Sequence, residues 1–126
     1  MNLILAKKKN IIALKGELGS GKTTFIQGLA RQLGVKEKVL SPTFVLMKKY
    51  SLDCSDFKTF YHIDCYRVDK EKEIIDLGFR KIAGNPENIV CIEWAEKIKR
   101  IIPLEALWLE FFFKDLKKRE IKINEG

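Results

Sequence analysis

The stretch GELGSGKTT, residues 16–24, stands between the apolar run NIIAL (10–14) and the segment KTTFIQGLARQLG (22–34). A short continuous apolar run is the pattern of a central strand buried on both faces. In the second segment Phe25, Ile26, Leu29, Ala30 and Leu33 recur at helical spacing, and Gly34 suits the helix C-terminus because glycine enters the left-handed conformation freely. The glycine loop therefore joins a buried strand to a helix, and any fold must be built around that unit.

The loop has its own chemistry. Gly16, Gly21, Lys22 and Thr23 match the pattern G-x-x-x-x-G-K-[ST]. Glycines let a loop turn inward so that successive backbone N–H groups face one anion. The helix that follows adds its positive N-terminal end. The pattern predicts that Glu17, Leu18, Gly19, Ser20 and Gly21 wrap a phosphate, with the Glu17 side chain facing solvent. Lys22 then reaches the β- and γ-phosphates, and the Thr23 hydroxyl binds magnesium. Thr24 either touches the α-phosphate or only supports the first helical turn.

Magnesium triphosphate chemistry also needs a carboxylate near the metal, usually at the C-terminal end of a neighbouring strand. Two acids stand where apolar runs stop: Asp64 ends FYHID and Glu93 ends IVCIE. Glu93 follows the cleaner buried strand, where an acid is costly without a metal, a water or a hydrogen bond to compensate it. Each of the two is either a site residue or a cap at a strand end. The segment SPTF carries Ser41 and Thr43 between the phosphate helix and the next strand. It is either a loop that senses the γ-phosphate or a turn fixed by Pro42. Alternation along its strand puts His62 on the side of Asp64, either at the edge of a site or satisfied within the core. Trp94 is either a core aromatic or a site wall. Arg67 is either a surface ion-pair residue or a partner contact.

The remaining segments read as strands at 41–50, 58–64, 88–94, 106–113 and 119–123, and as a short helix over 70–78 stopped by Gly78. The strands 41–50 and 58–64 are expected to form a hairpin, and KDLKK links the last two. Strands mixed with a few helices indicate an α/β fold with some antiparallel pairing. A chain of 126 residues is one domain, 1–126. With 46% hydrophobic and 33% charged residues it reads as a soluble globular protein, with no apolar run of membrane-span length. No signal-peptide order opens the chain, which predicts a cytoplasmic protein. Cys54, Cys65 and Cys91 are widely spaced and His62 is the single histidine, so reduced thiols are expected in place of a zinc site or a disulfide framework. The net charge of +7 fits either a polyanionic or acidic partner or a solvated basic face. Its lysines are scattered, without an RNA-recognition or zinc-finger pattern.

Taken in order, GELGSGKTT, SPTF, YHIDCYR and IEWAEK resemble the TsaE family, also called YjeE. Members are ATPase subunits of the bacterial machinery that makes threonylcarbamoyladenosine in certain tRNAs. The resemblance runs from about Ile11 to Pro103. It implies a P-loop NTPase-like three-layer fold with a central, mainly parallel sheet and antiparallel edge strands. It implies ATP binding and slow, magnesium-dependent hydrolysis that supports the two threonylcarbamoyl transferase core subunits, with tRNA contacted indirectly or weakly and no membrane partner. By position, Thr23 and Glu93 would ligate magnesium directly or through water, with Asp64 in the same region. Ser41 and Thr43 would form a switch-like loop. Trp94 would flank the nucleotide, and Glu96 would approach it. The family usually carries a longer helical stretch near the adenine, whereas ten residues precede Ile11 here.

Other classes compete. A small-molecule or nucleoside kinase shares the phosphate loop, but needs an acceptor pocket and a lid, and no lid-sized insertion is present. A regulatory GTPase needs Asn-Lys-x-Asp, which is absent. A scaffold that binds nucleotide without turnover shares every motif.

Overall fold

Residues 11–14 carry four apolar side chains in a row, and all are buried. They open β1 (Ile11–Gly16), which leads through the glycine loop to α1 (Lys22–Gln32). The computed structural model describes residues 10–16, 21–37, 46–52, 56–113 and 119–125. Next come β2 (Met47–Ser51), β3 (Thr59–Asp64), α2 (Glu71–Ile75), α3 (Phe79–Gly84) and β4 (Asn88–Glu93). A 3₁₀ segment (Ala95–Ile101), β5 (Leu107–Phe113) and β6 (Arg119–Glu125) complete the order.

The strands form one sheet in the order β2-β3-β4-β1-β5-β6. The pairs β3–β4, β4–β1 and β1–β5 are parallel, while β2 and β6 add antiparallel edges. The expected α/β architecture, with a central parallel sheet and antiparallel edge strands, is thus the one observed.

Strand alternation sends side chains to two cores. Ile12 and Leu14 of β1 join Phe60, Ile89, Cys91 and the α1 residues Ile26, Leu29, Ala30 and Leu33. Ile11 and Ala13 point the other way, into a core with Ile63, Val90, Ile92, Ile74, Phe79 and Ile98. Helical segments therefore cover both faces, and the central strands are buried on both sides, as an unbroken apolar run requires.

Several boundaries differ from the sequence reading. The strand expected over 41–50 is observed from Met47, and residues 38–45 lie outside those described. The helix expected over 70–78 ends at Ile75; Gly78, at φ 89°, opens the further short helix α3 instead of closing the first. The strand expected over 88–94 stops at Glu93 because Trp94 has φ 57° and turns the chain into the 3₁₀ segment. The hairpin of β2 with β3 and the pairing of β5 with β6 are present, and the linking residues 114–118 lie outside those described. Cys65 and Cys91 are free and buried; Cys54 lies outside the described residues. Burial pushes the Cys65 thiol up to about 12, with the Asp64 charge adding to it, so it stays a thiol at neutral pH.

Candidate functional site

The carboxyl ends of β1, β3 and β4 lie side by side, since Leu14 is in register with Glu93 and Glu93 with Asp64. Gly16 ends β1 at φ 139°, and a Cβ there would stand 2.3 Å from the backbone oxygen of Phe111. Only glycine lets the chain leave the strand this way while pressed against β5. Gly21, at φ 98°, is the N-cap of α1 and accepts the first helical bond from Phe25 N–H at 3.0 Å. These two glycines aim the start of α1 at the ends of the strands.

Lys22 is the first residue of that helix and is only 5% exposed. Its ammonium donates to the Gly16 carbonyl at 2.7 Å and lies 3.7 Å from the centroid of the Trp94 ring. Trp94 reaches that position because its left-handed backbone ends β4 abruptly, at a cost of about 1–3 kcal/mol for a non-glycine residue. Burial lowers the Lys22 pKa below its ordinary value, while the charges of Glu96, Glu93 and Asp64 act to restore it. The result is a desolvated cation under the influence of three acidic charges.

Thr23 Oγ1 donates to Glu93 Oε1 at 3.2 Å. Glu93 is 5% exposed, and its other oxygen, Oε2, lies 2.7 Å from Nε2 of His62, which is fully buried. Asp64 accepts at Oδ1 from the Tyr66 N–H at 3.0 Å. Burial raises the Asp64 pKa, the Tyr66 N–H opposes that shift, and the Glu93 charge adds to it. Glu96 is exposed on the 3₁₀ segment, and its charge acts on Lys22. The Tyr66 ring packs 5.2 Å from that of Trp94, and Lys97 donates to the Tyr66 carbonyl.

Of the residues singled out in the sequence, Lys22, Thr23, Asp64, Glu93 and Trp94 gather at one end of the sheet, with Gly21 opening the helix and Glu96 at the rim. Thr24 is exposed on the first turn of α1. Glu17, Leu18, Gly19, Ser20, Ser41 and Thr43 lie outside the described residues. Arg67 is exposed. The bond from His62 to Glu93 was not legible in the sequence. Alternation gave the face of His62, but the bond depends on the register of β3 against β4, where His62 stands opposite Cys91, two residues before Glu93.

Among the described residues no three His, Cys, Asp or Glu side chains converge as a metal cage. The donor set present, one hydroxyl touching one carboxylate with a second acid nearby, fits magnesium. That ion keeps several waters and uses one or two protein oxygens together with phosphate oxygens. It does not fit zinc, which takes a closed nitrogen and sulfur shell in structural sites.

The fold and site define an α/β protein with a lysine, a threonine hydroxyl and two carboxylates at the carboxyl end of a central parallel sheet. The family model described as "Threonylcarbamoyl adenosine biosynthesis protein TsaE" matches residues 2–121. The chain belongs to the TsaE family. It is 38% identical over 102 residues to a Bacillus subtilis protein named tRNA threonylcarbamoyladenosine biosynthesis protein TsaE, covering 81% of this chain and 61% of that one. It is also 38% identical over 121 residues to the Aquifex aeolicus protein of the same name, covering 94% and 80% of the two chains. The crystal structure of Bacillus subtilis YdiB superposes with a TM-score of 0.64 at 30% identity, over 93% of this chain and 68% of that one. The chain spans 58–61% of the length of the Bacillus subtilis relative and two Rickettsia relatives.

Proposed function

We propose that this chain is an ATP-binding, slowly hydrolysing subunit with a P-loop fold, acting in the biosynthesis of threonylcarbamoyladenosine in tRNA. Family membership supports the pathway, since the relatives carry that role in their names. The observation that carries the nucleotide reading is the contact between Thr23 Oγ1 and Glu93 Oε1 beside the Lys22 ammonium. A helix N-terminus, a cation and a hydroxyl–carboxylate pair are the groups that a magnesium triphosphate engages.

In this reading Lys22 exchanges its bond to Gly16 for phosphate oxygens, and residues 17–21 enclose those oxygens with backbone N–H groups. Thr23 and Glu93 would hold magnesium, which when bound neutralises charge on the transferring phosphoryl group. Asp64 and Glu93 orient the attacking water, Trp94 walls the site, and Glu96 and Thr24 flank the nucleotide. Ser41 and Thr43 report the γ-phosphate. The partners in this reading are the two threonylcarbamoyl transferase core subunits, tRNA is touched indirectly or weakly, and the protein is cytoplasmic. Among the described residues no helix is long and apolar enough to cross a membrane.

The test is phosphate release from ATP and magnesium, with and without the two transferase subunits. Release that rises when they are added supports the reading. Binding without turnover in either condition would leave a nucleotide-binding scaffold, and phosphate transfer to an added nucleoside would make the protein a kinase.

A further inference from the structure

His62 has an environment that core filling does not explain. Its side chain is fully buried in β3, and Nδ1 makes no hydrogen bond among the described residues. Burying a ring nitrogen without a partner is unfavourable, and an apolar side chain would fill the same space without that cost. Among the described residues the imidazole makes one polar contact, from Nε2 to Glu93 Oε2 at 2.7 Å. Glu93 is thereby held at both oxygens, Oε2 by His62 and Oε1 by Thr23 at 3.2 Å.

We propose that His62 is a positioning residue, whose Nε2–H fixes the Glu93 carboxylate so that Oε1 faces the Thr23 hydroxyl. The inference rests on the reading of Thr23 and Glu93 as the magnesium-binding pair. A glutamate has three side-chain torsions, and burial alone does not choose which carboxylate oxygen meets Thr23. One hydrogen bond from the adjacent strand sets the plane of the carboxylate before any ligand arrives. Groups that orient a ligating carboxylate in this way commonly change metal affinity by about 10–100-fold when removed. The β3–β4 register makes the contact possible, because it places His62 diagonally behind Glu93 on the face covered by α1.

The experiment compares wild type, His62→Leu and His62→Gln by calorimetry with ADP, in the absence and presence of magnesium. Glutamine can present an N–H near the position of Nε2, whereas leucine cannot. In His62→Leu the gain in ADP affinity on adding magnesium should shrink about tenfold or more, with magnesium-free affinity unchanged, and His62→Gln should restore most of that gain. A leucine variant with the wild-type magnesium gain overturns the proposal. So does a leucine variant that loses magnesium-free affinity to the same degree, or a glutamine variant that restores nothing. A wild-type protein whose ADP affinity ignores magnesium would instead remove the underlying reading of Thr23 and Glu93, and the positioning role with it. If the leucine variant fails to fold, nitrogen NMR of the wild-type imidazole decides. His62 is the single histidine in the chain, so its ring signals need no assignment. A slowly exchanging proton on Nε2 supports the proposal, and a proton on Nδ1 with bare Nε2 overturns it.

Discussion

Lys22 sits in a desolvated place, and this shapes what its removal does. Among the described residues its ammonium is held by one carbonyl and one aromatic face, and burial lowers its pKa despite three nearby acids. The sign of the linkage follows. A lysine whose folded pKa lies below 10.5 carries a folding penalty while charged, and that penalty is relieved as pH rises from the folded pKa towards 10.5. Phosphate oxygens compensate the charge far better than a carbonyl does. Lys22→Ala should therefore weaken ATP or ADP binding by about 1.5–3 kcal/mol, the size of a charge-assisted hydrogen bond, with the circular dichroism spectrum unchanged. Calorimetry measures the first and spectroscopy the second. Undiminished nucleotide affinity in a folded variant would remove Lys22 from the phosphate site.

At the scale of elements, the turn out of β1 and the start of α2 are the most exposed to single changes. Gly16→Ala places a Cβ against the Phe111 carbonyl in a left-handed backbone, so one of two paired strands must shift. The conformation alone costs about 1–3 kcal/mol, and a urea melt of the variant should show at least that loss. Glu73 stabilises α2 differently, accepting at Oε2 from the N–H groups of Asp69 at 2.8 Å and Lys70 at 3.0 Å. Those bonds lower its pKa below 4.5, so its contribution is present above that value and is lost as pH falls through the folded pKa. Glu73→Ala should melt lower than wild type at neutral pH, and the gap should narrow on acidification. A constant gap across pH would mean that the carboxylate charge plays no part. These elements also mark where the sequence is informative. The strands Ile11–Gly16 and Asn88–Glu93 were legible because burial on both faces demands unbroken apolar runs, and α1 because its eleven residues give three turns of periodicity. The five-residue α2 was legible as a helix, though over 70–78 and so too long, whereas the six residues of α3 offer too little period to read, and the 3₁₀ segment is broken at Ile98. Lys22, Thr23, Asp64 and Glu93 could be singled out by residue type and position. The bond of His62 to Glu93 could not, because register between strands distant in sequence is not written in either one.

Across the whole molecule, the site lies where β1, β3 and β4 end together, with α1 approaching from one face and the 3₁₀ segment from the other. A ligand there touches the two central elements of the sheet, so its binding free energy should add to the stability of the entire domain and not to one loop. The gain is set by mass action. At a concentration one hundred times its dissociation constant, a ligand that binds only the folded state adds about 2.7 kcal/mol. For a chain of this length each kcal/mol corresponds to a rise of roughly 2–8 °C in melting temperature. ADP or ATP with magnesium should therefore shift the whole cooperative transition upward by several degrees, about 5 °C or more at such saturation. The contributing groups identify which part of the ligand matters. Gly21 and Lys22 face phosphate and Thr23 faces its magnesium in the proposed reading, so adenosine without phosphate should shift the transition little at the same concentration. Inorganic pyrophosphate with magnesium should reproduce part of the nucleotide effect, and Lys22→Ala should remove most of it. Scanning calorimetry with each ligand separates the cases. An adenosine shift as large as that of ATP would mean that the base dominates binding, and would move the recognition site away from the start of α1.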